Sequence, residues 1–297
     1  MLIGVRKGKE AIVVGIGEIV WDIFPDGVRR LGGAPANFVY YSQLFGRKSF
    51  LVSRIGDDDL GKETMALMNQ HGLNIDYIQM DTVHPTGTVK VFLNLEAVPI
   101  FTIQENVAWD YLEKSPNLQS LAQKADAVCF GSLAFRSSQS RETISWFLSQ
   151  LQSDCLRVLD INLRPPFYSK ELIESLFKLA DVLKLNETEL EIIKSLFSFS
   201  DERETEILKK LLANYKFKLI ALTKGEKGSR LLTADEDSSH PGFSIKAVDT
   251  VGAGDAFTAA LVDGLLHGKS LDEINESANR LASLVCTQKG AWVKVKI

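Results

Sequence analysis

The chain has 297 residues, 45% hydrophobic and 24% charged, with a formal net charge of −4. This is the profile of an ordinary globular protein with room for one large core or two modest ones. The acidic balance argues against a nucleic-acid surface, no stretch approaches the ~20 apolar residues of a membrane span, and residues 1–10 are too polar for a signal peptide.

A cytoplasmic protein is therefore expected, and Cys129, Cys155 and Cys286, odd in number and set among apolar residues, read as reduced core thiols. The first apolar run, 11–20, reads as a strand interrupted by Gly15, Gly17 and Glu18. It does not continue into a dinucleotide fingerprint, because Val20 stands where the third glycine belongs. Residues 21–31 carry Pro25-Asp26-Gly27, a hairpin signal. Gly32-Gly33-Ala34-Pro35-Ala36-Asn37 then leads into a helix over 36–45. Two glycines let the backbone approach a ligand, and Pro35 suits a first helical turn, which puts Asn37 on that turn. The Asp22 carboxylate and the Asn37 amide together match the hydroxyls of a polyol. The same residues also suit a strand end and a helix start.

A strand over 49–55 and a helix over 61–71 follow. The pair 88–95 and 100–103, joined across 96–99, has no helix beside it. With 21–31 it forms a small antiparallel sheet, either a flap over a site or an edge hairpin. Strands over 127–131, 157–161, 182–185 and 219–223 then alternate with helices over 140–151, 187–197, 202–214, 255–266 and 271–287. Continuous apolar strands alternating with helices imply a parallel sheet covered on both faces, with ligands gathering at the strands' carboxyl ends. Asp160, Asn162, Asn186 and Thr223 stand at such ends.

Asn186-Glu187-Thr188-Glu189 reads as a capping box, and equally as a place where Glu189 holds Mg²⁺ through water. Thr223-Lys224-Gly225-Glu226-Lys227-Gly228 is a turn able to wrap a nucleotide by its backbone, though not a Walker A loop. Residues 235–239 read as a solvated loop. The most informative segment is Asp249-Thr250-Val251-Gly252-Ala253-Gly254-Asp255-Ala256-Phe257. A helix starting there aims its free N–H groups and positive dipole end at the glycine turn, an anion cradle. Asp255 puts a carboxylate in that cradle, suited to take a proton from an attacking hydroxyl and kept ionised by the helix N-terminus. Cradle and base together describe phosphoryl transfer to an alcohol.

Taken together, these motifs resemble the ribokinase-like (PfkB) carbohydrate kinases over nearly the whole length, most closely the bacterial fructokinases. The resemblance rests on Asp249 to Phe257, Asn186 to Glu189, Thr223 to Gly228 and Gly32 to Asn37, in order. Gly17 to Gly27, His84 to Thr88, Val107 to Asp110 and Asp160 to Arg164 give it the fructokinase flavour. It implies a single α/β domain over 1–297, with a doubly wound, mostly parallel sheet, helices on both faces and a β-sheet lid from about 20–32 and 88–104. It implies ATP-dependent phosphorylation of a primary hydroxyl, D-fructose to fructose 6-phosphate, with ribose, 2-keto-3-deoxygluconate or a nucleoside as rival acceptors and a non-catalytic sensor as a rival class.

Carried over by position, Asp255 is the base and Gly252, Ala253 and Gly254 form the anion hole. Asp22, Gly32, Gly33, Asn37 and Gln104 hold the sugar, Gln104 standing where several relatives have arginine. Asn186, Glu189, Thr223, Gly225, Gly228 and Asn279 serve ATP and Mg²⁺, and Arg164 either serves the phosphate region or makes a surface salt bridge. Asp249, Val251, Val285, Gln288 and Gly290 would hold K⁺, mainly through backbone oxygens. Arg29 and Arg30 are the only cations near the sugar motif, and the hairpin could display them to solvent. The partners implied are a small sugar and ATP, with no nucleic acid or membrane, and a homodimer through the lid.

Overall fold

A computed structural model describes residues 10–93, 99–199 and 202–295. In chain order the elements are β1 (Ile12–Ile16), β2 (Val20–Ile23), β3 (Arg29–Gly32), α1 (Ala34–Leu44), β4 (Lys48–Gly56), α2 (Asp59–Gln70), β5 (Ile78–Asp81), β6 (Thr88–Leu93) and β7 (Pro99–Ile103). There follow α3 (Pro116–Ala122), β8 (Ala127–Phe130), α4 (Ser138–Ser149), β9 (Leu156–Asp160), α5 (Lys170–Phe177), β10 (Val182–Asn186), α6 (Glu187–Phe197) and α7 (Glu204–Tyr215). The last are β11 (Leu219–Thr223), β12 (Ser229–Leu232), β13 (Asp237–His240), α8 (Ala253–His267) and α9 (Leu271–Cys286).

The main sheet runs β13-β12-β11-β10-β9-β8-β1-β4-β5, parallel except for the β11-β12-β13 edge. Val14 of β1 sits opposite Phe50 on one side and Val128 on the other. All five residues of β1 are buried, as expected of a strand covered on both faces. Its Val14 and Ile16 face one core with α3 to α7, and its Val13 faces a second core with α1, α8 and α9. Each such fully buried side chain contributes about 1.5–3 kcal/mol. Helix α8 is buried from Ala256 to Leu265, mostly apolar with Thr258 and Asp263 among the buried residues, and packs between α1 and α9.

Two elements depart from expectation in instructive ways. The run 11–20 is not one strand: the chain leaves the main sheet at Gly17, whose φ is 145° and whose N–H reaches Val52 O at 3.1 Å. It joins the small sheet at Val20, opposite Gly32, and Trp21 N–H reaches Gly87 O at 2.9 Å. Of residues 235–239, expected as a solvated loop, Asp235 and Glu236 are exposed outside any strand, while Asp237 to Ser239 belong to β13. Its Ser238 is buried and bonded to Asp272 and Asn275. A polar strand satisfied by side-chain hydrogen bonds carries no apolar alternation to read.

The small sheet runs β3-β2-β6-β7. It was expected to be antiparallel throughout, but its central pair β2–β6 is parallel, with Asp22 opposite Val89. The parallel pairing is possible because β6 arrives from β5, the edge strand of the main sheet, rather than by a hairpin from β2. The connection expected across 96–99 lies largely outside the described residues. Short elements such as α3, α5, β5 and β12 were not expected. Two of them announce themselves only by caps, Ser115 on Leu118 N and Ser169 on Leu172 N, both at 3.2 Å.

Candidate active site

The carboxyl ends of β1, β8, β9, β10 and β11 point the same way and carry Gly17, Gly131, Asp160, Asn186 and Thr223 at or just past their ends. Beside β1 the strand order reverses, which opens the crevice where α/β sheets take ligands. Helix α8 begins at this crest. Gly252 caps it with φ 80°, and a Cβ there would lie 2.9 Å from Ala291 O, so only glycine fits both the turn and the packing.

The first-turn amides are not all free. Ala253 N–H reaches Thr250 O at 3.2 Å, and Ala256 N–H reaches Gly252 O at 2.9 Å. Gly254 and Asp255 lie between them, where α8 offers no i−4 carbonyl. The cradle is therefore built around their two N–H groups more than around that of Ala253.

Asp255 is the third residue of α8, and its Oδ2 accepts from Asn37 Nδ2 of α1 at 2.7 Å. Beneath it lies a buried ion pair, Lys184 Nζ to Asp160 Oδ1 at 2.9 Å. Thr258 Oγ1 ties this pair to α8, donating to Asp160 Oδ2 at 2.8 Å and lying 3.0 Å from Gly254 O. A Cβ on Gly254 would stand 3.0 Å from Lys184 Nζ, so the ammonium reaches the floor of the glycine turn.

The electrostatics are lopsided. Burial, reinforced by Asp160, pushes the Asp255 carboxyl up to about 7, while the Asn37 hydrogen bond, Lys184 and Arg164 pull the other way. The helix N-terminus does not keep it ionised as expected. A dipole contribution of ~0.3–1 kcal/mol is smaller than the cost of desolvating a carboxylate. Glu18, buried on the loop between β1 and β2, is likewise pushed up to about 7 by burial, with Asp255 adding to the effect and Arg164 opposing it. Asp22 rises to about 6 by burial, against Arg164 and Arg30. Glu189 is raised by burial, against Lys184. Burial alone would lower Lys184, but Asp160, Glu189 and Asp255 override it and hold the ammonium protonated.

Other candidate residues fall around this centre. Asp22 lies on β2 beside Gly32, where a Cβ would be 3.8 Å from its carboxyl oxygen, and Gly33 caps α1 ahead of Asn37. Gln104 is exposed at the end of β7, its Oε1 accepting from Thr88 at 2.6 Å and its carbonyl accepting from Arg136 at 2.6 Å. Asn186 and Glu189 form the expected capping box, and Glu189 also accepts from Leu163 N–H at 3.0 Å. Thr223 ends β11. Gly228 turns at φ 82° against the chain leaving β13, where a Cβ would lie 2.0 Å from His240 O. Gly225, by contrast, faces open space. The Asn279 amide is turned into a buried network, donating to Ser229 Oγ at 2.7 Å and to Asn275.

The segments holding Asp249, Val251, Val285, Gln288 and Gly290 do meet. Val248 N–H reaches Cys286 O at 2.8 Å, Gly290 N–H reaches Asp249 Oδ2 at 3.0 Å, and Gln288 N–H occupies Val285 O at 3.2 Å. Val251 N–H turns back onto Asp249 Oδ1 at 3.1 Å. Arg30 pairs with Asp249 and Arg29 with Glu63, each at 3.0 Å, so the hairpin does not simply display them to solvent. Arg164 is exposed, and it acts on Glu18, Asp22 and Asp255 through its charge.

Sequence reasoning missed Lys184, Thr258 and Trp292, whose indole N–H donates to Asn37 Oδ1 at 2.9 Å. Lys184 had a signal, a lone charge inside the buried strand Val182–Asn186. Trp292 had none.

The chain as a whole resembles known proteins. The chain is 31% identical over 293 residues to a fructokinase of Klebsiella pneumoniae, covering 93% of each. Its fold superposes with TM-score 0.81 on a fructokinase from Vibrio cholerae bound to fructose, ADP and a calcium ion, at 26% identity and 95% coverage of both chains. It superposes with TM-score 0.77 on a sugar kinase from Pyrococcus horikoshii in complex with ATP, at 30% identity, covering 95% of this chain and 94% of the other. Residues 20–296 match the family model described as pfkB family carbohydrate kinase. With this match over nearly its whole length, the chain belongs to the pfkB family of carbohydrate kinases.

Proposed function

We propose that this kinase transfers the γ-phosphoryl group of ATP to the primary hydroxyl of D-fructose, giving fructose 6-phosphate. The observation that carries the reading is the Asp255 carboxylate, held by Asn37 at the first turn of α8 beside the amides of Gly254 and Asp255. An alcohol is too weak an acid to ionise at neutral pH, so Asp255 takes its proton as the new P–O bond forms, and ADP leaves. General-base help of this kind is worth ~10²–10⁴-fold, and each donor to the developing charge on the order of 3 kcal/mol. Orientation contributes up to ~7–11 kcal/mol.

In this reading Asp22 accepts hydroxyls of the sugar, and the second N–H of the Asn37 amide remains available to it. Gly32, Gly33 and Gln104 line the same end, and the small sheet acts as a lid that excludes water. Thr223, Gly225 and Gly228 border the nucleotide, with Asn279 acting through Ser229. The names of the relatives favour fructose as the acceptor.

The crest also suits a divalent cation. Among the described residues no group of three or more His, Cys, Asp or Glu forms a protein cage. Magnesium, however, keeps several waters and needs few protein carboxylates, and the crest holds more carboxylates than cations. Glu189 and Asn186 would hold Mg²⁺ through water. When bound, the ion neutralises charge on the phosphates. A K⁺ ion against the 249–251 and 285–290 segments belongs to the same proposal.

The test is ATP consumption with fructose, ribose, glucose, 2-keto-3-deoxygluconate, fructose phosphate and adenosine, with and without K⁺. Fructose is expected to give the highest kcat/KM; a tenfold preference for any other acceptor overturns the assignment.

The pH dependence follows from the raised Asp255 carboxyl. A base must be deprotonated, so kcat/KM is expected to climb with pH through an apparent pKa near 7 and level off above it. A profile flat from pH 5.5 to 9 would rule the base out.

A further inference from the structure

We propose that Trp292 is a positioning residue whose indole N–H dictates which end of the Asn37 amide meets Asp255. This rests on the reading of Asp255 as the base for its kinetic consequence, but not for its structural content.

The contacts form a chain from the C-terminal segment to the reacting centre. Trp292 Nε1 donates to Asn37 Oδ1 at 2.9 Å, and Asn37 Nδ2 donates to Asp255 Oδ2 at 2.7 Å. The indole is clamped. It stacks on Tyr40 of α1, with centroids 5.4 Å apart and planes 2° from parallel, and His71 meets its edge at 5.4 Å. The backbone on either side is pinned by Tyr41, whose hydroxyl donates to Ala291 O at 2.5 Å. Asn37 is itself buried, with 4% exposure, so few other partners are open to its amide oxygen.

The chemistry makes the orientation one-way. An indole N–H can only donate, so the amide must present its oxygen to Trp292 and its NH₂ to Asp255. Flipping the amide would set N–H against N–H in a buried site, at a cost of the kind an unsatisfied buried donor carries. Asn37 therefore supports the charged form of Asp255. An amide free to flip could instead offer its oxygen to a protonated Asp255 and support the neutral form. In a crest where burial and Asp160 already push Asp255 toward the neutral acid, this hydrogen bond is the first of the influences acting the other way, ahead of Lys184 and Arg164. The charged groups facing Asp255 are thus Asp160 from β9, Lys184 from β10, Arg164 beyond β9 and Glu18 before β2, with the neutral Cys129 of β8 and Tyr41 of α1 also within reach of its charge; Lys294 acts on His71 at the far side of the indole. None of them changes when the indole N–H is removed.

The experiment is Trp292→Phe, which keeps a ring against Tyr40 and deletes the donor. The full-length enzyme is titrated by ¹³C NMR, with the Asp255 carboxyl identified by its absence from Asp255→Asn, and kcat/KM is measured from pH 5.5 to 9. The carboxyl titration is expected to move up by about half a unit or more. The rate profile should follow it, with kcat/KM at pH 7 about twofold lower for a half-unit shift and more for a larger one, recovery toward pH 9 and KM for ATP unchanged. In an Asn37→Ala background the same change should leave the titration where it was. If Trp292→Phe proves unstable, replacing Trp292 alone with benzothienylalanine keeps the indole shape without the N–H.

An unmoved titration overturns the proposal, and so does an equal shift in the Asn37→Ala background. A titration that moves while the rate profile stays put supports the Trp292–Asn37–Asp255 linkage and refutes the base reading instead.

Discussion

Asp255→Asn is expected to abolish turnover while leaving the protein folded and able to bind both substrates. The asparagine is nearly isosteric, and its oxygen can still accept from Asn37 Nδ2 as the carboxylate does at 2.7 Å. What it cannot do is take the proton of the attacking hydroxyl. With that transfer gone, kcat should drop by about 10³-fold or more, near the upper part of the range for general-base help. Dissociation constants for ATP and fructose, measured by calorimetry, should stay within a few fold. Stability carries a second signature. A carboxyl whose folded pKa is raised to about 7 contributes stability below its unfolded value near 4, and this is lost as pH rises through 7. The variant has no such loss, so its Tm should equal or exceed that of the wild type at pH 8 and fall behind at pH 4. Turnover within tenfold of the wild type would end the case for this residue.

Lys184→Met should be the most damaging change to stability. The methionine replaces the stem of the lysine but leaves Asp160 buried, at 3% exposure, without the ammonium now 2.9 Å away. Breaking a buried pair from one side costs about 3–5 kcal/mol. For a chain of this size that is a fall in Tm of roughly 6–20 °C, at about 2–4 °C per kcal/mol. Lys184 also pulls down the already raised Glu189 and Asp255. Without it their folded-state protonation strengthens further, so the deficit should be largest at pH 8 and shrink toward pH 5. Thermal melts across that range decide it. A Tm change under 2 °C, or one independent of pH, would show that the pair is not what neutralises the crest.

Both expectations concern residues that the chain advertises unevenly. Asp255 sits in a nine-residue run in which a glycine turn, a carboxylate and the start of an apolar helix are adjacent, so local chemistry exposes it. The capping box of Asn186 and Glu189 and the proline-led start of α1 are legible for the same reason: each is complete within a few residues. The parallel sheet is legible because buried strands must be apolar on both faces. Asp237–His240 is not, because the burial of its Ser238 rests on hydrogen bonds to Asp272 and Asn275 that lie 34 and 37 positions away. Val20–Ile23 is misjoined to Ile12–Ile16 in a linear reading because the change of sheet happens at a single glycine.

By itself the amino-acid order determined the alternation of strands and helices, the glycine turn with its aspartate, and the kinship that follows from them. Only the folded chain decided how acidic that aspartate is, because its neighbours come from everywhere. Asn37 lies 218 positions away, Asp160 and Lys184 arrive on two separate strands, and Trp292 is brought in by the closing segment. Desolvation is a sum over all the atoms packed around a group, and a hydrogen-bond direction depends on what holds the partner's other end. Neither quantity is a property of any stretch of sequence.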